Sequence, residues 1–382
     1  MDMTGRAGRY IRQPQGYKAF IPAPLPPDPP LSMDQEMLSL ISRADRALGR
    51  LDGSVQTLPD PDLFVFMYVR KEAVFSSQIE GTQSSLNDLL EAEAKVLRRR
   101  QPSDVGEVIN YVRAMNYGLK RLKELPVSVR LIKEIHFHLL AKVRGADRQP
   151  GELRRTQNWI GSREVMLTDA AFIPPPPHEA AEALSVLEKY IHQEDSLPLL
   201  VKIGLIHAQF ETIHPFLDGN GRIGRLLITF LLCECGTLEK PVLYLSHYFR
   251  QHRERYYSII QSIRDTGDWE SWIAFFLTAV EVVAREATST ARRIVELREH
   301  HRRIITASFG RTTANGLIIL EHLYSYPIIS VRDIVAKTDL SFTAANTLMA
   351  RFVESGILAK ITGRARNRQF RYGDYIALFS DK

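Results

Sequence analysis

Apolar residues return at every third or fourth position through most of residues 33–302, and that periodicity confines the chain to helices packed on helices. It runs through MLSLISRADRALGRL, LFVFMYVRKEAVFSSQIE, VINYVRAMNYGLKRL and VRLIKEIHFHLLAKV, and resumes in HEAAEALSVLEKYIHQ, PLLVKIGLIHAQFETI and YYSIIQSIRDTGDWESWIAFFLTAVEVVARE. Two stretches break it. IPAPLPPDPP at 21–30 forbids helix, so residues 1 to about 32 read as an extended, packed arm before a helix begins near Ser32. GELRRTQNWIGSREVMLTDAAFIPPPP sets β-favouring residues between turn glycines, so 151–173 reads as a β-hairpin flap inserted in an otherwise all-α core. Its proline run, Pro174 to Pro177, equally suits a rigid spacer.

Beyond a long charged helix ending near His301 the pattern changes. TANGLIILEHLYS, SVRDIVAKTDL and SFTAANTLMARFVESG predict three short helices, and ILAKITGRARNRQFRYG a two-stranded basic ribbon. Residues 311–376 thus look like a winged helix-turn-helix domain, with SFTAANTLMARFVESG as recognition helix and Arg364, Arg366, Arg368 and Arg371 on the wing. Those arginines suit DNA, whereas the recognition helix has few bases and suits protein. A net charge of +6 permits a phosphate-bearing partner without requiring one. Cys233 and Cys235 sit two apart in a helical run, so their side chains diverge and neither a disulfide nor a cysteine metal site is expected. The longest apolar stretch, Leu226 to Cys235, is too short to cross a bilayer, and the N-terminus lacks an apolar signal core; a cytoplasmic protein away from membranes is the expectation.

Chemistry concentrates between two of the helices, in HPFLDGNGRIGR, residues 214–225. Gly219 and Gly221 make a tight loop before a helix, whose backbone N–H groups and dipole form an anion site. Arg222 and Arg225, three apart on the first turn, can converge on a polyphosphate, and Asp218 offers a hard oxygen for Mg²⁺. Arginines at a helix start oppose the dipole unless an anion compensates, which favours a binding role over a solvated face. His214, beside this site, suits a general base for a hydroxyl nucleophile.

The segment matches, position for position, the Fic family motif His-Pro-Phe-x-Asp/Glu-Gly-Asn-Gly-Arg-x-x-Arg, and the chain resembles that family over roughly residues 1–300. The resemblance implies a Fic helical core and a protein adenylyltransferase that moves AMP from ATP to a Ser, Thr or Tyr hydroxyl. It implies that His214 deprotonates that hydroxyl, that Asp218 holds Mg²⁺ between the α- and β-phosphates, and that Gly219, Asn220 and Gly221 cradle them. Arg222 and Arg225 would bind the β- and γ-phosphates, with Ile223 and Gly224 completing the nucleotide-binding turn. The hairpin resembles the family flap, which takes the target's backbone by strand addition, with Ala171 and Phe172 bordering the nucleotide. Tyr256 falls where relatives contact adenine, while Arg264 stands where they carry Asn.

Ser76-Ser77-Gln78-Ile79-Glu80-Gly81 matches the family's inhibitory motif, Ser/Thr-x-x-x-Glu-Gly/Asn. It implies that Glu80 pairs with Arg225 and takes the guanidinium the γ-phosphate needs. Self-modification, AMP removal assisted by Glu80, and a homodimer are further implications. The domain reading is an N-terminal arm and helical region with the inhibitory helix over 1–125, a Fic catalytic core over 126–302 and a winged helix over 303–382. Two alternatives stay open: a DNA-binding transcriptional regulator whose Fic core only senses nucleotide, and a Fic enzyme that transfers another phosphate-containing group.

Overall fold

The structure is a computed structural model; it describes residues 5–56, 61–96, 102–161, 167, 170–362 and 368–379, with 62–64 as backbone only. The arm forms an antiparallel hairpin, β1 (Gly8–Arg12) and β2 (Lys18–Pro22), paired from Gly8 with Pro22 to Arg12 with Lys18. This hairpin was not expected from the prolines, which lie beyond its second strand. The chain can turn at Gln13–Gly16 because Gly16 adopts φ +95°. Buried Arg6 ties the arm down through a two-pronged pair with Glu270, at 2.8 and 3.0 Å.

Helices then follow: α1 (Gln35–Gln56), α2 (Pro61–Ile79), α3 (Leu86–Glu93), α4 (Val105–Arg121), α5 (Val129–Leu140), α6 (Pro177–His192), α7 (Leu199–Ile213), α8 (Asn220–Glu234), α9 (Ser246–Gln251), α10 (Arg253–Thr266) and α11 (Trp269–Ser308). The apolar stripe of α1, including Leu40, Ala44, Ala47, Leu51 and Val55, is buried along α11. Short α3 escapes the periodicity and is set by a cap: Ser85 Oγ accepts from the Asp88 N–H at 3.2 Å while the Asp88 carboxylate accepts from the Ser85 N–H at 2.9 Å. The central helices α7 and α8 are apolar nearly all round, as buried helices must be.

The expected flap is strand-like only at its base, where Ile160 and Phe172 form one antiparallel bridge; 151–159 is irregular, and 162–166 and 168–169 lie outside the described residues. Helix α11 runs to Ser308, past the expected stop near His301, because Ile305 stays buried on its apolar stripe. The C-terminal part comprises α12 (Thr313–Ser325), β3 (Ile328–Ser330), α13 (Val331–Thr338), α14 (Phe342–Glu354), β4 (Ala359–Lys360), β5 (Gln369–Arg371) and α15 (Gly373–Ala377). Its sheet has three strands in the order β3-β5-β4, all antiparallel, rather than the two of the expected ribbon. Arg364 and Arg366 lie outside the described residues. Among the described residues no helix is long and apolar enough to cross a membrane.

Candidate functional site

His214 follows the last turn of α7 and takes the left-handed conformation, φ 49°. A non-glycine residue there costs on the order of 1–2 kcal/mol, so its surroundings must hold it. Buried Arg154 does so, donating Nε to the His214 carbonyl at 2.9 Å and Nη2 to the Pro175 carbonyl. A cation at a helix C-terminus satisfies carbonyls that the helix cannot. Burial lowers the His214 imidazole to about 3, with Arg264 and Arg154 adding to the effect, so it is neutral at physiological pH. Its Nδ1 lies 3.3 Å from the Glu211 carbonyl. With the proton there, Nε2 keeps a lone pair.

The loop from Phe216 to Gly219 is closed from within. The Asn220 amide accepts from the Phe216 N–H and donates to the Phe216 carbonyl, both at 2.8 Å. Its side chain is therefore committed to the turn. Gly219 adopts φ +79° and starts α8, leaving the first backbone N–H groups of that helix without intrahelical partners. Ile223 does not join them: its N–H is bonded to the Gly219 carbonyl at 3.0 Å and its side chain is buried in the core. Gly224 packs against Glu211, whose carboxylate leaves no room for a Cβ. Asp218 is a third exposed, with Oδ1 accepting the Gly219 N–H at 2.6 Å.

Sequence reasoning missed the residue beneath this loop, His136 of α5. Its ring stacks on Phe216 at 3.8 Å, Nδ1 accepts the Gly151 N–H at 2.8 Å and Nε2 lies 3.0 Å from the Asp218 carbonyl. Since Nδ1 must accept, the proton sits on Nε2 and is donated to Asp218. Burial, which lowers this imidazole to about 4, keeps it neutral, and the two bonds fix the tautomer.

The two motif guanidinium groups take different partners. Arg222, only 1% exposed, turns to Glu107 of α4 at 3.2 Å, and its Nε has no partner among the described residues. Arg225 turns to α2: Nε donates to Ser76 Oγ at 2.9 Å, and Nη2 to the Ser76 carbonyl at 3.0 Å and to Glu80 Oε1 at 2.7 Å. Residues three apart share a helix face, but each guanidinium is drawn to a different acid, Arg222 to Glu107 of α4 and Arg225 to Glu80 just past α2. The Glu80 carboxylate lies against Gly221, where a Cβ would clash with it. Gly81, at φ +95°, turns the chain away after Glu80. Burial alone would raise the Glu80 carboxyl, but Arg225 outweighs it and holds the group below its usual range. Glu211 fares differently: burial raises it to about 7 against the pull of Arg225, and its Oε1 has no partner among the described residues.

Tyr256 is buried in an aromatic cluster with Phe249 and Trp272, and its hydroxyl is bonded to His207 Nε2 at 2.8 Å. Its neighbour Tyr257, not singled out in the sequence, is 41% exposed and close enough to Glu80 and Arg225 to feel both charges. Phe172 is also buried: it stacks under Arg264, whose guanidinium carbon lies 3.6 Å from the ring centroid, and meets Phe20 of the arm. Arg264 Nη2 donates to the Glu211 carbonyl at 3.2 Å, joining flap base to the turn before His214. Ala171, by contrast, is exposed.

The Fic/DOC family N-terminal profile matches residues 38–120 and the Fic/DOC family profile residues 126–232. The protein adenylyltransferase Fic of Drosophila grimshawi is 29% identical over 223 residues, 56% of this chain and 42% of that protein. A probable protein adenylyltransferase of Aquifex aeolicus is 30% identical over 208 residues, 53% of this chain and 57% of that one. The chain thus spans about half the length of these curated relatives. Among solved structures, a Fic family protein from Desulfovibrio desulfuricans G20 superposes with TM-score 0.60 at 20% identity, covering 90% of this chain and 97% of that one. A Fic domain containing signaling protein from Bacteroides thetaiotaomicron gives TM-score 0.53 at 19% identity, covering 66% and 95%. With both profiles laid end to end across α1 to α8 and the fold shared, the chain belongs to the Fic/DOC family.

Proposed function

We propose that this protein is an adenylyltransferase that moves AMP from ATP to a protein hydroxyl and is held inactive by Glu80. One observation carries the reading: the Glu80 carboxylate sits against Gly221 at the N-terminus of α8 and binds Arg225 at 2.7 Å. A carboxylate there takes the place that a nucleotide phosphate would take. With Glu80 withdrawn, the free N–H groups at Gly221 and Arg222, together with the Arg225 guanidinium, would receive the β- and γ-phosphates. Arg222 would join them by turning its unpartnered Nε from the Glu107 side.

His214 then acts as base. Its Nε2 takes the proton of the target hydroxyl as that oxygen bonds to the α-phosphorus; the bond from the α-phosphorus to the bridging oxygen breaks, and pyrophosphate departs with the electron pair. A neutral imidazole, as His214 is here, is the competent form. Asp218 fits Mg²⁺ of the kind completed by substrate: it is a single, part-exposed carboxylate with Oδ1 engaged and Oδ2 left over, and Mg²⁺ commonly takes one or two carboxylates plus phosphates. Bound there, the ion would neutralise phosphate charge.

For the C-terminal part, helix–strand order supports the winged-helix reading. The exposed positions of α14, Phe342, Thr343, Thr347, Ala350, Val353 and Glu354, carry no base, which favours a protein partner over duplex DNA. The catalytic reading is tested by supplying Mg²⁺ and ATP labelled at the α-phosphate, with cell lysate as acceptor. Label on protein is expected, and label that persists in His214→Ala would reject it.

A further inference from the structure

Four arginines line a cavity of about 190 Å³ between α1 and α11, and none belongs to the catalytic loop. Arg43, Arg46 and Arg50 share one face of α1 at positions three and seven apart, and Arg285 stands on α11. A single carboxylate organises them: buried Glu281 accepts from Arg43 Nε at 3.1 Å and from Arg285 Nη2 at 2.6 Å, fixing one guanidinium on each wall. Among the described residues, Arg46 donates Nε to the Ser42 carbonyl of its own helix, at 3.2 Å, and to no acid. The Arg50 carbonyl accepts from Ser54 Oγ at 2.7 Å, and its guanidinium meets no acid among the described residues.

Four guanidinium groups against the single carboxylate of Glu281 leave an excess of positive charge around the void, which a further anion would offset. Their planar forks match phosphate oxygens bidentately. The void is smaller than the ~300 Å³ at which pockets for whole drug-sized ligands begin, so it suits a diphosphate-sized group rather than a complete nucleotide. We propose that the α1–α11 seam is a phosphate-binding site, taking a diphosphate either as a free anion or as a lipid headgroup. It is independent of the catalytic reading.

Calorimetric titration of the full chain with inorganic pyrophosphate tests it. A saturable component is expected that R46E/R50E weakens at least about tenfold. The same charge change on exposed β1, R9E/R12E, should leave that component intact. Pyrophosphate bound at the α8 N-terminus would survive in both variants and so is told apart. Phosphatidylcholine vesicles with and without a phosphoinositide identify the source. Capture lost in R46E/R50E assigns a headgroup, and pyrophosphate binding without capture assigns a free anion. If R46E/R50E fails to fold, R46Q/R50Q carries the comparison. Unchanged binding of both probes in the α1 variant, no saturable binding by the wild type, or equal loss in R9E/R12E overturns the proposal.

Discussion

On the proposed function, replacing Glu80 with Gly should release adenylyl transfer. Arg225 has three acceptors on and just past α2, and two of them, Ser76 Oγ and the Ser76 carbonyl, survive the change. Only the Glu80 bond at 2.7 Å is lost. A hydrogen bond to a charged group is worth about 1.5–3 kcal/mol. Glu80 keeps 30% of its side chain in solvent, which screens the pair and brings the figure to about 1–2 kcal/mol. That corresponds to a factor of about 5–30 in the population whose Arg225 and α8 N-terminus are open to phosphate. The assay is the initial rate of self-labelling from ATP labelled at the α-phosphate, wild type against Glu80→Gly, with melting curves to show that both are folded. Glu80→Gln, which keeps an acceptor but drops the charge, should fall between them. A folded Glu80→Gly protein that labels no faster than wild type would refute the reasoning.

Adding His214→Ala to Glu80→Gly should abolish labelling while leaving ATP binding, measured by titration, within about threefold, because the imidazole is assigned to proton transfer and not to phosphate binding. The acid limb of kcat/KM in Glu80→Gly should lie below pH 6, since free His214 is lowered to about 3; a limb near the ordinary histidine value would contradict its burial. Glu211→Gln should gain stability relative to wild type as pH rises from 5 to 8. The folded Glu211 carboxyl is raised to about 7 and wild type loses its contribution as that group ionises, up to ~3 kcal/mol, readable in urea melts. His136→Phe keeps a ring against Phe216 but leaves the Gly151 N–H and the Asp218 carbonyl unpaired, so a loss of about 2–4 kcal/mol in stability is expected, together with a fall in kcat larger than any rise in KM.

The site's local parts were legible in the sequence because they are local. Gly219, at φ +79°, sets the turn, and the apolar runs on either side place it between two buried helices; that Gly221 already belongs to α8 and that Asn220 closes the turn on Phe216 were not read from the sequence. The arm hairpin was not legible: its strands are five residues each and the prolines after them dominate the composition. Nor was α3, eight residues long and held by a capping pair rather than by a stripe. The partner of Arg222 was not legible for a different reason, since a helix start shows which face a side chain leaves but not which acid waits there.

What the sequence by itself determined is the long periodic helices, the loop with its glycines, and the identity of the groups that could handle phosphate. Those follow from periodicity and backbone freedom within a dozen residues. Only the tertiary structure decided that Arg154 pins His214 from 60 positions away and that His136 supports Asp218 from 82 away, whereas the pair of Glu80 with Arg225, across 145, was expected from the motif resemblance. Contacts at that separation arise from how helices pack, and packing depends on the joint shape of many side chains that no single segment carries.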